Sequence, residues 1–97
     1  MYTSGVWKVK EGREDEFVRR WEEGAQATVL GYPGVKVMLF RDADDPHRFV
    51  SLGEGWRNRE QIDGMRSTPE VQDSMASIWR LLDSGEVAVL ELAVEVS

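Results

Sequence analysis

The 97-residue sequence is 41% hydrophobic and 31% charged, contains no cysteine and carries a formal net charge of −6. Without cysteine it can form no disulfide, thiolate metal site, iron–sulfur cluster or cysteine nucleophile. Its bases are interleaved with acids, as in Arg13-Glu14-Asp15-Glu16 and Arg57-Asn58-Arg59-Glu60, so no basic face is offered to nucleic acid.

Tyr2 to Val9 mixes β-branched and aromatic residues and stops at Lys10-Glu11-Gly12, the pattern of a first strand and a turn. Acidic residues crowd the stretch Arg13 to Glu16, where they favour a helix N-terminus. Phe17, Trp21, Gly24, Ala25 and Thr28 then recur at i, i+4, i+7, i+8 and i+11, giving that helix one apolar or small face. Gly31-Tyr32-Pro33-Gly34 supplies the residues that end it.

Val35 to Phe40 is a near-continuous apolar run and predicts a second strand. Arg48 to Trp56 predicts a third, joined to it by the polar loop Arg41 to His47. Gly53 and Gly55 within the third strand suggest a bulge or a close backbone approach. Asn58 and Gln61 form a capping pair that opens a short helix through about Met65. Thr68 and Pro69 restart a helix as N-cap and first residue. Val71, Met75, Ile78, Trp79 and Leu82 make its apolar stripe, and Ser84-Gly85 is expected to stop it. Glu86 to Val96 reads as a long final strand.

The order β-α-β-β-α-β predicts a single α+β domain over residues 1–97, of ferredoxin-like plan, with two helices on one face of an antiparallel sheet. The strands are apolar at both parities. Val35, Val37 and Leu39 alternate with Met38 and Phe40, and Ala88, Leu90, Leu92, Val94 and Val96 alternate with Val87, Val89 and Ala93. A sheet with one wetted face should alternate cleanly, so the second face needs a cover, and a homodimer through that sheet face is the expected one. The N-terminal residues show no basic-then-apolar leader, and no stretch approaches the ~20 apolar residues of a membrane span. A cytoplasmic location with no membrane partner is expected.

Several segments together carry a resemblance. Lys10-Glu11-Gly12-Arg13-Glu14-Asp15-Glu16-Phe17 leading to Trp21 and Pro33-Gly34 resembles the first half of an antibiotic biosynthesis monooxygenase domain. The hairpin Leu39 to Ser51 continuing to Trp56, the helix start Arg66 to Gln72 and the closing stretch Leu90 to Val94 are similar to the rest. The resemblance implies a dimeric α/β barrel, two ferredoxin-like units placed sheet to sheet, with a pocket in each between sheet and helices. Members of the family include cofactor-free oxygenases of aromatic polyketides, haem-degrading monooxygenases and quinol oxygenases, so it implies fold more narrowly than function.

The residues weigh these activities differently. The haem-degrading relatives carry an axial histidine on the second long helix, a tryptophan about one element earlier and an asparagine on the first strand. The matching helix positions here look like Met75 and Met65, and the first strand has no asparagine. The one histidine, His47, falls in the hairpin loop and reads as a solvated turn residue, which disfavours haem degradation. Asp42, Asp44 and Asp45 beside it lack the spacing of a calcium loop and read as a charged hairpin tip. No phosphate-binding glycine motif and no GxSxG occurs, so no cofactor is expected and no metal site is assigned. Glu54 and Glu91 interrupt apolar strands but read as outward-facing or paired with Arg41 or Arg48, and no general base stands out.

Trp21, Trp56, Met65, Met75 and Trp79 fall on faces that should converge between helices and sheet, with Arg66 beside them. Such a stripe is most often plain core. In a chain this short it also suits an apolar cleft for a flat aromatic ligand, these six residues being its candidate binding set. Cofactor-independent oxygenation of a quinol or phenol fits such a cleft, with tryptophan N–H groups and Arg66 as donors to the substrate anion. A ligand-binding dimer without catalysis, or an isomerase or lyase of the same superfamily, are the other expectations.

Overall fold

The computed structural model describes all residues 1–97. Strand β1 (Tyr2–Val9) lies at the centre of the sheet and is followed by helix α1 (Glu14–Gly31). Strands β2 (Lys36–Arg41) and β3 (Arg48–Glu54) form a hairpin. Helices α2 (Arg59–Arg66) and α3 (Pro69–Trp79) lead to strand β4 (Leu82–Leu90). The sheet order is β2-β3-β1-β4 with every neighbour antiparallel. This is the α+β ferredoxin-like arrangement expected from the element order.

Local chemistry sets the helix ends. Glu14, Asp15 and Glu16 fill the first turn of α1, where carboxylates oppose the positive end of the helix dipole. Gln61 N donates to Asn58 Oδ1 at 2.8 Å, while Gln61 Oε1 accepts from Arg57 N at 2.8 Å, so the α2 start is closed from both directions. Thr68 Oγ1 accepts from Val71 N at 3.4 Å, with Pro69 opening α3 where no N–H is needed.

Register divides the strands into two faces. Thr3, Gly5, Trp7 and Val9 share a face with Phe49, Ser51, Gly53, Val37, Leu39, Gly85, Val87 and Val89, and this face meets the helices. Tyr2, Val6, Met38, Phe40, Val50, Leu52, Ala88 and Leu90 share the other face, which no element of the chain covers. Phe40 and Leu90 are 52% and 42% exposed there.

The last strand differs from expectation at both ends. Leu82 belongs to β4, not to the α3 stripe: α3 ends at Trp79, and Leu81 N closes a tight turn onto Ile78 O at 2.9 Å. Lys10 N then donates to Leu81 O and Leu82 pairs with Val9, which buries both leucines. Ser84-Gly85 therefore lies within the strand, with Trp79 packed over Gly85. At the other end Leu90 is paired with Tyr2, so β1 offers no partner further on, and residues 91–97 run on exposed and unpaired.

The third strand stops at Glu54, before Trp56. Gly55 turns the chain out of the sheet at φ +90, and a side chain there would collide with the Gly34 carbonyl. The close approach expected at this glycine pair is real, whereas the one register irregularity of the sheet falls between Lys8 and Val9.

The buried core is split. Trp7, Val9, Phe17, Phe49, Ile78, Leu81 and Leu82 form one cluster, while Val35, Trp56, Ile62 and Met65 form a second. Trp7 and Trp56 each belong to one cluster, and both face the space between them.

Candidate functional site

A cavity of about 800 Å³ occupies the gap between the two clusters. Its floor is the helix-facing side of β1 and β3, its walls are α1 and α3, and residues of α2 close one end. This volume lies within the range of small-molecule sites. The lining is mostly apolar, and its only charged residues are Arg66 and Glu70.

All six residues singled out from the sequence reach this cavity. Trp21 comes from α1 and is half-buried; Met75 and Trp79 come from α3, with Trp79 43% exposed at the rim. Met65 is buried at the α2 end and Trp56 is buried just beyond β3. Arg66 ends α2, where Nη2 donates to Ala88 O at a long 3.4 Å, leaving most of its five N–H donors unengaged. Burial, above all, pulls the Arg66 guanidinium below its usual pKa; Arg59 acts in the same sense and Asp63 opposes. Arg66 nonetheless stays cationic near neutral pH.

The floor was not legible from the sequence. Trp7 lies back over Gly5 and its Nε1 donates to Ser51 Oγ at 3.0 Å. Ser51 is the cross-strand partner of Gly5. Trp56 lies over Gly53 in the same manner and donates to Thr3 Oγ1 at 3.2 Å, Thr3 being the cross-strand partner of Gly53. A side chain on either glycine would occupy the indole's place: a Cβ on Gly5 would sit 2.5 Å from Trp7 Cε2, and one on Gly53 would sit 3.1 Å from Trp56 Nε1. The Trp56 indole N–H, expected as a donor to a bound anion, is thus turned onto Thr3.

Each wall has its own packing reason. Gly24 of α1 faces Ser74 of α3 so closely that a Cβ on Gly24 would fall 2.6 Å from Ser74 Oγ. Trp7 stacks edge-on against Trp79 and tilted against Phe17, both at 6.2 Å, and Tyr32 tilts against Trp56 at 5.3 Å.

The model of the antibiotic biosynthesis monooxygenase family matches residues 2–77. The chain belongs to the antibiotic biosynthesis monooxygenase family. Among solved structures it is similar to an antibiotic biosynthesis monooxygenase at 21% identity, with 96% of this chain and 98% of that one covered and a TM-score of 0.81. It is also similar to a variant of SnoaB, a cofactor-independent oxygenase from Streptomyces nogalater, at 17% identity, 97% and 93% coverage and TM-score 0.84. A conserved protein from Methanosarcina mazei Go1 aligns at 17% identity, 90% and 86% coverage and TM-score 0.79. At these identities the likeness is one of fold. No curated protein matches the chain.

Within this antibiotic biosynthesis monooxygenase fold the titratable groups stand mainly outside the cavity. His47 lies at the β2–β3 hairpin, its Nδ1 2.7 Å from Glu14 Oε1 at the start of α1. Asp42 pairs with Arg48 at 3.0 Å and Asp45 with Lys8 at 2.7 Å. Glu54 points outward on the uncovered face, the first of its two expected placements, and stands 4.0 Å from Lys36; Arg41 lies over the Phe49 ring at 4.9 Å. Met65 and Met75 both line the cavity.

Proposed function

We propose that this protein is a monooxygenase that needs no cofactor and acts on a small aromatic or polyketide-like quinol or phenol in the cavity between Trp7 and Trp56. One observation carries the reading: an apolar chamber of about 800 Å³ flanked by four tryptophans, with Arg66 the one cation on its wall.

Such a chamber favours oxygenation by the substrate itself. Aromatic walls bind a flat ring and strip it of water, which strengthens the field of Arg66 on a phenolate oxygen. A desolvated phenolate is a strong electron donor and can pass one electron to O₂. The radical pair then joins through a new C–O bond. Overall, for an anthrone (whose deprotonated enol is the phenolate) a ring CH₂ becomes C=O and its two hydrogens leave with the second oxygen atom as water; for a phenol the ring C–H and O–H hydrogens leave in the same way. The protein's share is binding, desolvation and stabilisation of the anion.

Oxygen uptake by a metal-free preparation with anthrone and a panel of hydroquinones tests this. Consumption above background is expected, with lower rates in Trp56→Phe and Trp21→Phe. No consumption with any of them contradicts the reading. Quenching of tryptophan fluorescence by the same compounds without turnover would make the protein a binding module.

A second copy of the chain belongs to the same proposal. The uncovered sheet face holds an apolar patch of Val6, Met38, Phe40, Val50, Leu52 and Ala88 bordered by charged residues such as Lys36, Arg48, Glu54 and Glu86, which suits a two-fold partner presenting the same face.

A further inference from the structure

We infer that Thr3 and Ser51 are a pair of hydrogen-bond donors that recognise two acceptor oxygens on opposite sides of a bound ring, so that the cavity selects quinone-like ligands over single phenols. The inference rests on the cavity being a ligand site, and it specifies the ligand's polar pattern.

A hydroxyl has one hydrogen to donate and lone pairs that accept. Ser51 Oγ already accepts from Trp7 Nε1, and Thr3 Oγ1 from Trp56 Nε1. The fixed indoles hold one lone pair of each oxygen, which restricts where each hydroxyl hydrogen can point. Four hydroxyls on or at the ends of helices discharge their hydrogens onto backbone carbonyls: Thr28 onto Gly24 O, Ser67 onto Asp63 O, Thr68 onto Met65 O and Ser77 onto Ser74 O; Ser74 of α3, on the cavity wall, does not. Thr3 and Ser51 sit within strands paired on both sides, and neither hydroxyl donates to the protein. Both line the cavity.

Register sets their spacing. Thr3 faces Gly53 and Gly5 faces Ser51, so the two hydroxyl residues are diagonal neighbours on adjacent strands, roughly 7 Å apart. One oxygen atom cannot meet both donors at that distance. Two acceptors across one ring can. The glycines opposite each hydroxyl are covered by the indoles of Trp7 and Trp56, so a bound ring would rest on indole between the two hydroxyls.

Anaerobic binding of naphthoquinone, naphthol and naphthalene, read by tryptophan quenching, supplies ligands with two, one and no acceptors across the ring system. The quinone finds no thiol to alkylate, since the chain has no cysteine. Thr3→Val and Ser51→Ala are each expected to weaken naphthoquinone about five- to tenfold, the loss of one neutral hydrogen bond, and naphthalene less than about twofold. Thr3→Ser and Ser51→Thr keep the hydroxyl and are expected to restore naphthoquinone binding, which separates donor loss from damage to the fold. Equal losses for quinone and hydrocarbon, failure of both hydroxyl-retaining variants to restore binding, or no binding of any probe to the unmodified protein would overturn the inference. Because oxygen is absent, the result is independent of turnover: donor-dependent binding without oxygen consumption would sink the monooxygenase reading alone.

Discussion

Trp7 reaches Ser51 at 3.0 Å by lying across Gly5, the residue that pairs with Ser51 on the neighbouring strand. The indole thereby serves two ends of the structure at once. Its ring belongs to the larger core cluster with Phe17 and Phe49, while its N–H fixes a hydroxyl on the cavity floor.

Gly5→Ala is expected to cost about 2 kcal/mol, because the new methyl would lie 2.5 Å from Trp7 Cε2 and 2.7 Å from Ser51 Oγ in a packed site. Thermal melting should show a fall of roughly 8 °C or more for a domain of this size. Gly64→Ala is the control. Gly64 lies in α2 with open space where a Cβ would go, so helix propensity should raise stability by about 0.5–1 kcal/mol.

The contrast between these glycines shows what the sequence makes legible. Helix starts at Glu14, Asn58 and Thr68 are written in local residues, so they can be read without tertiary information. The end of α3 cannot. Leu82 continues the i, i+3, i+4 spacing of Ile78 and Trp79, and only its pairing with Val9 makes it a strand residue. The cavity residues on helices follow from periodicity, and hence Trp21, Met65, Met75 and Trp79 could be placed. Thr3, Gly5, Ser51 and Gly53 acquire meaning from which residue stands opposite which, and register is not visible in one strand's sequence.

Acid should weaken the fold from the hairpin end. Asp42 is held below the usual carboxylate range by the Asp44 N–H and then Arg48, and Asp45 by Lys8 and then the His47 N–H. Glu14 is lowered first by its own backbone N–H, and Glu16 by Arg13 and then Arg20. For such groups the folded pKa lies below the unfolded one, so the stabilisation is present above the unfolded values near 4 and is lost as pH falls through the folded ones. Urea midpoints should be flat from neutral pH to about 5 and fall below about 4. Asp45→Asn should make that acid limb shallower.

Arg66→Met is expected to leave the cavity's shape and remove its cation. A hydroxyanthraquinone bound to the unmodified protein should ionise more readily than in water, since a nearby guanidinium favours the phenolate. Titration of its phenolate absorbance should place the bound pKa roughly 1 unit higher, or more, in the Met variant. An unchanged value would remove Arg66 from anion stabilisation.

Leu52→Lys puts a charge at the middle of the uncovered sheet face. Light scattering should give twice the 11.1 kDa chain mass for the unmodified protein and the single-chain mass for the variant. A mass of one chain for the unmodified protein at micromolar concentration would leave that face without its proposed cover.

The most direct measurement is a crystal structure of the protein with a dihydroxyanthraquinone. The ring density is expected in the cavity between Trp7 and Trp56, with its oxygens toward Thr3, Ser51 and Arg66. Density confined to the outer sheet face, or a cavity that collapses and leaves the ring outside, would contradict it.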